Sequence, residues 1–386
     1  MSAPDVRDAL LAVRAPDELE AQRRAWGVVR GAYAEREPVP THRFRLRLLV
    51  AVAAAAALVA AALSPPGRSV GAWIRDRVAG EEPTEPALVR LPSAGRLLVV
   101  SDQGPWIVRP DGSKRLLGSY ADASFSPNGL FVVATSGRRL VALEPDGDPR
   151  WTVTRPTPLA DPRWAPSPGF RIAYREGRTL RIVVGDGTGD SMLADDVAPV
   201  APAWRPGAGR TVLAYASTDG RVHLVDADGK RLWTVDPGAA PEQLVWSDDA
   251  SLLLVVTASR NHPLYTGGGR ALGRALETPE GEDVVDAAFA PGTRKIAYAA
   301  YDAATDEGSI VFGNEELQQG QGHLQDIVFA PTGNWLAAGW PEADQVLFLR
   351  LPGVSRIVTV PDIRREFDPG TTGRASFPRL AEWCCG

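Results

Sequence analysis

One phrase recurs six times in this chain and limits its fold more than any other feature: an aromatic residue, a spacer, usually proline, a turn, then a β-rich run. It reads FSPNGLFVVAT from Phe125, WAPSPGFRIAY from Trp164 and WRPGAGRTVLAY from Trp204. It returns as WSDDASLLLVVT from Trp246, FAPGTRKIAYAA from Phe289 and FAPTGNWLAAG from Phe329. Successive aromatics lie 39, 40, 42, 43 and 40 residues apart. An earlier copy, LPSAGRLLVVS from Leu91, keeps the proline and the strand but lacks the aromatic, which makes seven candidate units.

Within each unit, short alternating or apolar runs are separated by turn dipeptides such as Asn128-Gly129, Asp146-Gly147, Asp219-Gly220 and Asp228-Gly229, the chemistry of tight hairpins. A repeat of about 40 to 45 residues holding several short strands has the period of a propeller blade. One blade cannot cover both of its faces, so neighbours must stack on it and radial closure removes the exposed edges. The expected fold is therefore all-β, a seven-bladed β-propeller with six blades as the alternative. The unit from Trp204 shows the pattern best, with TVLAYAS and RVHLVDA as its second and third strands and LWTVD as its outer strand. After Val360, Ala375-Ser376-Phe377-Pro378 repeats the aromatic-proline phrase without a full unit behind it, and reads as the strand that closes the ring.

Ahead of the repeats, Leu48 to Leu63 carries no charged or polar side chain and would span roughly 24 Å as a helix. Extension back to Phe44, with Arg45 and Arg47 reaching toward headgroups, gives a transmembrane helix over 44–64. Arg43, Arg45 and Arg47 on its N-terminal flank place that side in the cytoplasm. Ala60 and Ala62 also fit a signal-peptidase site, so a cleaved leader is the rival reading, opposed by the length of chain before the apolar run. The expected organisation is a cytoplasmic segment over 1–43, the span, a linker over 65–87 and an extracytoplasmic propeller over 88–386, in the membrane of a bacterial cell.

The cytoplasmic segment reads as two short helices, the second carrying Leu19, Trp26, Val29 and Tyr33 on one stripe before the polar Glu35–Pro40 stretch. So short a segment cannot bury a core, which leaves that stripe to a cytoplasmic protein partner or to the membrane surface.

Signs of chemistry are few. A net charge of −5 with scattered basic residues argues against a nucleic-acid surface. Only Lys114, Lys230 and Lys295 among the 42 basic residues are lysines, the mark of a GC-rich genome rather than of a function. His42, His223, His262 and His323 lack a second ligand at metal spacing, and His223 reads as a half-exposed strand residue. The Asp226–Gly229 and Asp186-Gly187 elements lack the spaced oxygens and bidentate glutamate of a calcium loop and read as hairpin turns; Asp302, Asp306 and Glu307 form a similar acidic loop. The longest insertion, Ser259 to Glu277, reads as a loop in which Arg260, Asn261, His262 and Tyr265 would shape a ligand-binding rim. Cys384 and Cys385 are adjacent, and outside the cytoplasm they would form a vicinal disulfide or cross-link to another chain, a frayed tail being the alternative.

The phrases FSPNG at Phe125 to Gly129 and FAPTG at Phe329 to Gly333 resemble the WD40-like or TolB-type propeller repeat, and VDADGKRLWTV and LEPDGDPRWTV are similar to repeats of quinoprotein-type propellers. The resemblance implies the fold and leaves function open. No G-x-S-x-G elbow is present and no catalytic domain follows the repeats. The leading expectation is thus a membrane-anchored, non-catalytic module, without a cofactor, that binds a protein, peptide or glycan on its loop face. A transmembrane regulator resembling membrane-bound anti-sigma factors is the alternative, and an enzyme with a cofactor or metal in the central channel is the third.

Overall fold

In a computed structural model the described residues are 90–166, 170–207, 211–278, 281–353, 356–370 and 375–385. They fall within one compact unit, Thr84–Gly386. The stretch expected to cross the membrane and the Leu19, Trp26, Val29 and Tyr33 stripe lie outside the described residues. Among those described, no helix is long and apolar enough to span a bilayer.

The described residues form seven four-stranded antiparallel sheets, which settles seven blades against six. Blades 2 to 7 each use consecutive strands and span Asp122–Thr154, Leu159–Ala194, Ala203–Val235, Pro241–Glu277, Glu282–Gln321 and Gln325–Val360. Blade 1 is composite. Its inner strand is the C-terminal Arg379–Cys384, which pairs antiparallel with Arg96–Ser101, followed outward by Gly104–Val108 and Lys114–Leu116. The ring therefore closes with a C-terminal strand in the first blade, as the weak copy at Leu91 suggests. The closing strand is not Ala375–Pro378, however. Those residues have no regular structure, and Phe377 packs instead beside Gly339, at the edge of the cluster between blades 7 and 1. The aromatic that matters is Trp383, which no proline follows.

In every blade the phrase aromatic lies at or next to the end of the innermost strand and packs back onto the preceding blade. Phe125 lies with Leu98 and Ile107 of blade 1, Trp164 with Val133 and Leu140 of blade 2, and Trp204 with Ala173 and Ile182 of blade 3. Trp246, Phe289 and Phe329 repeat this contact around the ring. Trp383 completes it against Trp335 and Phe348 of blade 7, edge-on to the latter with ring centroids 5.6 Å apart. Seven apolar clusters thus sit between blades, one for each aromatic.

A second tryptophan locks the rim at two seams. Trp151 and Trp233, in the outer strands of blades 2 and 4, donate their indole N–H groups to the carbonyls of Gly185 and Gly267 in the next blade's last turn. At Gly187 (φ +86°) and Gly269 (φ +82°) a Cβ would lie 2.8 and 2.7 Å from those indoles, so both backbone conformation and space require glycine. The short helix α1, Ile363–Phe367, buries Ile363 and Phe367 between blades 7 and 1 before the chain returns to close the ring.

Because Trp383 is 6% exposed and fills the closing seam, Trp383→Ala is expected to destabilise the propeller by about 3–5 kcal/mol. Denaturant unfolding of the variant measures this. A loss below about 1 kcal/mol would mean that the closing strand does not hold the ring.

Candidate functional site

Packing the seven inner strands around an axis leaves a central cavity of about 480 Å³, lined by residues from all seven blades. Its polar side chains follow a rule. The residue three before the phrase aromatic is Asp122, Asp161, Gln243, Asp286 or Asp326 in five of the seven blades. The inner strand shifts register beside Asp161, Gln243, Asp286 and Asp326, and such a bulge turns a side chain that the strand pleat would otherwise place elsewhere. Asp161 (φ 52°) and Asp326 (φ 58°) occupy the left-handed region, which aspartate tolerates better than most residues.

Except for Asp161, which pairs with Arg175 of its own blade, these side chains bind blade to blade. Asp286 accepts the backbone N–H of Ile327 (2.6 Å), and Asp326 accepts that of Leu380 (3.0 Å). Glu382 accepts the N–H of Phe125 (2.8 Å), and the Ser124 hydroxyl accepts that of Trp164 (3.3 Å). Gln243 accepts from the N–H of Ala287 (3.0 Å) and donates to its carbonyl (3.1 Å). At the two remaining seams the indole N–H groups of Trp204 and Trp246 donate to the carbonyls of Arg163 (2.8 Å) and Ala203 (3.2 Å). All seven seams are thereby bridged near the axis.

Enclosure of so many carboxylates shifts their titration. Burial pushes Asp286 up to about 6, against the hydrogen bonds from Ile327, Gln243 and Ala287. Burial, and then the charge of Asp286, push Asp326 up to about 7. Glu382 is raised by burial too, opposed by Ser124, Phe125 and Arg163. Two cations answer them. Arg379 pairs with Asp122, and Arg163 lies 3.5 Å from the same carboxylate. Among the described residues no cluster of three or more histidine, cysteine or acidic side chains is placed to hold a metal ion.

A second concavity, about 620 Å³, lies between blades 2 and 3 and is apolar in its walls. Phe131, Trp151 and Phe170 line it together with Arg150 and Asp186. Leu130, next to Phe131, is 61% exposed and Phe170 is 71% exposed, whereas Phe131 lies nearly parallel to the buried Trp164 with centroids 6.3 Å apart. Arg150 sits over the Phe131 ring at 5.8 Å and also pairs with Glu144 at 3.0 Å.

The residues expected at a loop rim are arranged otherwise. Asn261, His262 and Tyr265 belong to a regular strand, Asn261–Thr266, whose partner Ala271–Glu277 completes blade 5. The length of Ser259 to Glu277 is a hairpin and not a loop; its glycines form the turn. His262 is 1% exposed, its Nδ1 accepting from the Thr257 N–H, and the buried Tyr265 donates its hydroxyl proton to the Asp236 carbonyl. Arg260 remains exposed in the short turn before that strand. His223 is buried, not half-exposed, and is held between the Ser217 and Thr234 hydroxyls at 2.9 and 2.8 Å. Asp186 and Asp226 accept backbone N–H groups within their own turns, as hairpin residues do. Cys384 and Cys385 are joined to each other.

No family model and no curated protein sequence matches this chain. A solved structure of similar shape is a chain of "Kuenenia stuttgartiensis Hydrazine Synthase", at 13% sequence identity and a TM-score of 0.48, covering 59% of this chain and 75% of that one.

The raised values of Asp286 and Asp326 fix the sign of a pH effect. Both carboxyls keep a proton in the folded state that an unfolded aspartate, with its ordinary value near 4, has already released. Their contribution is complete below about pH 4 and is lost as pH rises through about 6 to 7. The propeller is expected to be more stable at pH 5 than at pH 8, by on the order of 2 kcal/mol after allowance for solvent reaching the cavity. Asp326→Asn should remove most of that slope in denaturant titrations at the two pH values. An unchanged slope would show that Asp326 does not take up a proton on folding in this range.

Proposed function

We propose that this chain is a non-catalytic binding module, anchored in a bacterial membrane by the apolar stretch at 44–64 with its propeller outside the cytoplasm. Its partner is a protein that inserts an apolar side chain of an extended segment between blades 2 and 3. The observation that carries this reading is the groove of Phe131, Trp151 and Phe170, in which Phe170 is largely exposed and Phe131 has the exposed Leu130 beside it in the chain. Scattered single hydrophobics are normal on a protein surface, but two large ones beside an aromatic-walled cleft form the kind of patch that marks an interaction site. Aromatic side chains also supply much contact area at little entropic cost, and such anchors dominate the energetics of interfaces. Arg150 and Asp186 at the wall provide one charge of each sign to orient the segment.

The polar side chains of the channel support the same reading from the other direction. Asp286, Asp326, Glu382, Gln243 and Ser124 are engaged with the backbone of a neighbouring blade, so their placement is accounted for by ring assembly.

The reading is tested in native membranes with the full-length protein carrying a photo-reactive residue in place of Phe170, beside one carrying it in place of the exposed Leu232 of blade 4. A discrete protein cross-link from position 170 alone is expected, and Leu130→Asp should weaken its formation at least tenfold, as loss of an interface anchor does. Equal labelling from both positions would overturn the site. Labelling of glycan instead of protein would overturn the assigned partner, and turnover of a substrate by the purified protein would overturn the non-catalytic reading.

A further inference from the structure

The closing seam differs from the other six in one covalent respect. In five of the six continuous phrases the second residue after the aromatic is proline: Pro127, Pro166, Pro206, Pro291 and Pro331, with Asp248 in the sixth. Proline fixes φ and stiffens the turn that leads from the inner strand into the second. In blade 1 that turn does not lead on, because the second strand, Arg96–Ser101, comes from the other end of the propeller. Trp383 is followed by Cys384 and Cys385, whose disulfide stands where the stiffening proline stands elsewhere.

The two cysteines have different neighbours. Cys384 is the last ladder residue of the closing strand and pairs with Arg96 of blade 1. Cys385 leans onto blade 2. Its Sγ lies 3.7 Å from the Pro127 carbonyl oxygen and 4.0 Å from that of Ser126. At Gly129 a Cβ would lie 2.8 Å from the same sulfur, so the blade 2 turn is shaped to receive it. Cys385 also holds φ at +58°, a left-handed conformation costly for a residue with a side chain and retained only where its surroundings enforce it. The bond to Cys384 is the covalent constraint acting on that residue. Both side chains are only half-buried, so a thiol has a route to the pair.

We infer that the Cys384–Cys385 disulfide is a redox-sensitive clasp on the closing strand where it meets blade 2, opened by a dithiol reductant. The chemistry is thiol–disulfide exchange. A thiolate of the reductant attacks one sulfur of the pair, forming a mixed disulfide and expelling the other cysteine as a thiolate, which takes a proton. The reductant's second thiol then displaces the remaining cysteine. Two electrons and two protons end on Cys384 and Cys385, and the reductant leaves as its disulfide. With the bond gone, nothing covalent holds Cys385 left-handed against the blade 2 turn, and its release frees the outer end of the closing strand. In this fold that strand is joined to its blade by hydrogen bonds and packing alone, so the clasp acts where the ring is easiest to open.

The test uses full-length protein in detergent, with wild type and Cys384→Ser/Cys385→Ser compared before and after a dithiol. Two thiols per chain should become open to alkylation in folded wild type only after reduction. Hydrogen exchange across Arg379–Cys384 and Arg96–Ser101 should then quicken at least tenfold, with blade 4 unchanged. The double variant should exchange at the reduced rate whether or not dithiol is present. Three results would overturn the clasp: free thiols in the protein purified under oxidising conditions, a pair that resists dithiol until the protein unfolds, or reduction without faster exchange at the seam. Trp383→Phe serves as a second probe, since a seam loosened by packing should exchange faster yet keep its response to dithiol.

Discussion

Everything in this propeller depends on how one blade recognises the next. A four-stranded sheet buried on both faces cannot exist alone in water, because either face exposes the same Val, Leu and Ile side chains that the other buries. The contact that joins neighbours is repeated seven times. An aromatic at the end of each inner strand packs backward onto the preceding blade, and near it a side chain or indole bonds across to the neighbouring backbone. The apolar part supplies most of the burial. The polar part sets the relative height of the blades, since a carboxylate that accepts one particular N–H cannot do so after a slip.

The price of that arrangement is an axis crowded with acids. Asp286 and Asp326 gather there because each bridges a seam, and once enclosed both are raised by burial, Asp326 further by the charge of Asp286. Arg379 and Arg163 reduce the excess of negative charge without removing it. A strongly perturbed carboxylate in a cavity is often the sign of a reaction, but structural networks perturb titration in the same way. Here Asp286 and Asp326 each accept a backbone N–H of the neighbouring blade. The face between blades 2 and 3 is different in kind: its groove is walled by aromatic side chains, and Phe170 is largely exposed.

The correspondence between sequence and structure is uneven for reasons that are physical. The turn glycines and the aromatic spacing act locally, so a ring of seven or six blades and the strand order within blade 4 are legible directly. The adjacent cysteines leave a disulfide, a cross-link and a frayed tail open until the structure joins them. Sequence alone points to the wrong closing strand because Phe377-Pro378 matches the phrase better than Trp383-Cys384-Cys385 does. Ser259 to Glu277 read as a loop because its three glycines suggest one, whereas the pairing of Asn261–Thr266 with Ala271–Glu277 depends on the rest of blade 5 being in place. The channel acids do carry a sequence signal, an aspartate three residues before the aromatic in four of the phrases.

What the sequence determined by itself is the repeat and hence the architecture, because a period, a turn dipeptide and an alternating run are each properties of a few consecutive residues. Which residues meet across the ring was decided only by tertiary structure. Arg96 and Cys384, Glu382 and Phe125, or Trp383 and Phe348 stand far apart in the chain, and their meeting follows from the angle at which seven blades close. The same holds for the groove. Phe131 and Trp151 come from one blade and Phe170 from the next, and no spacing along the chain announces that they share a wall.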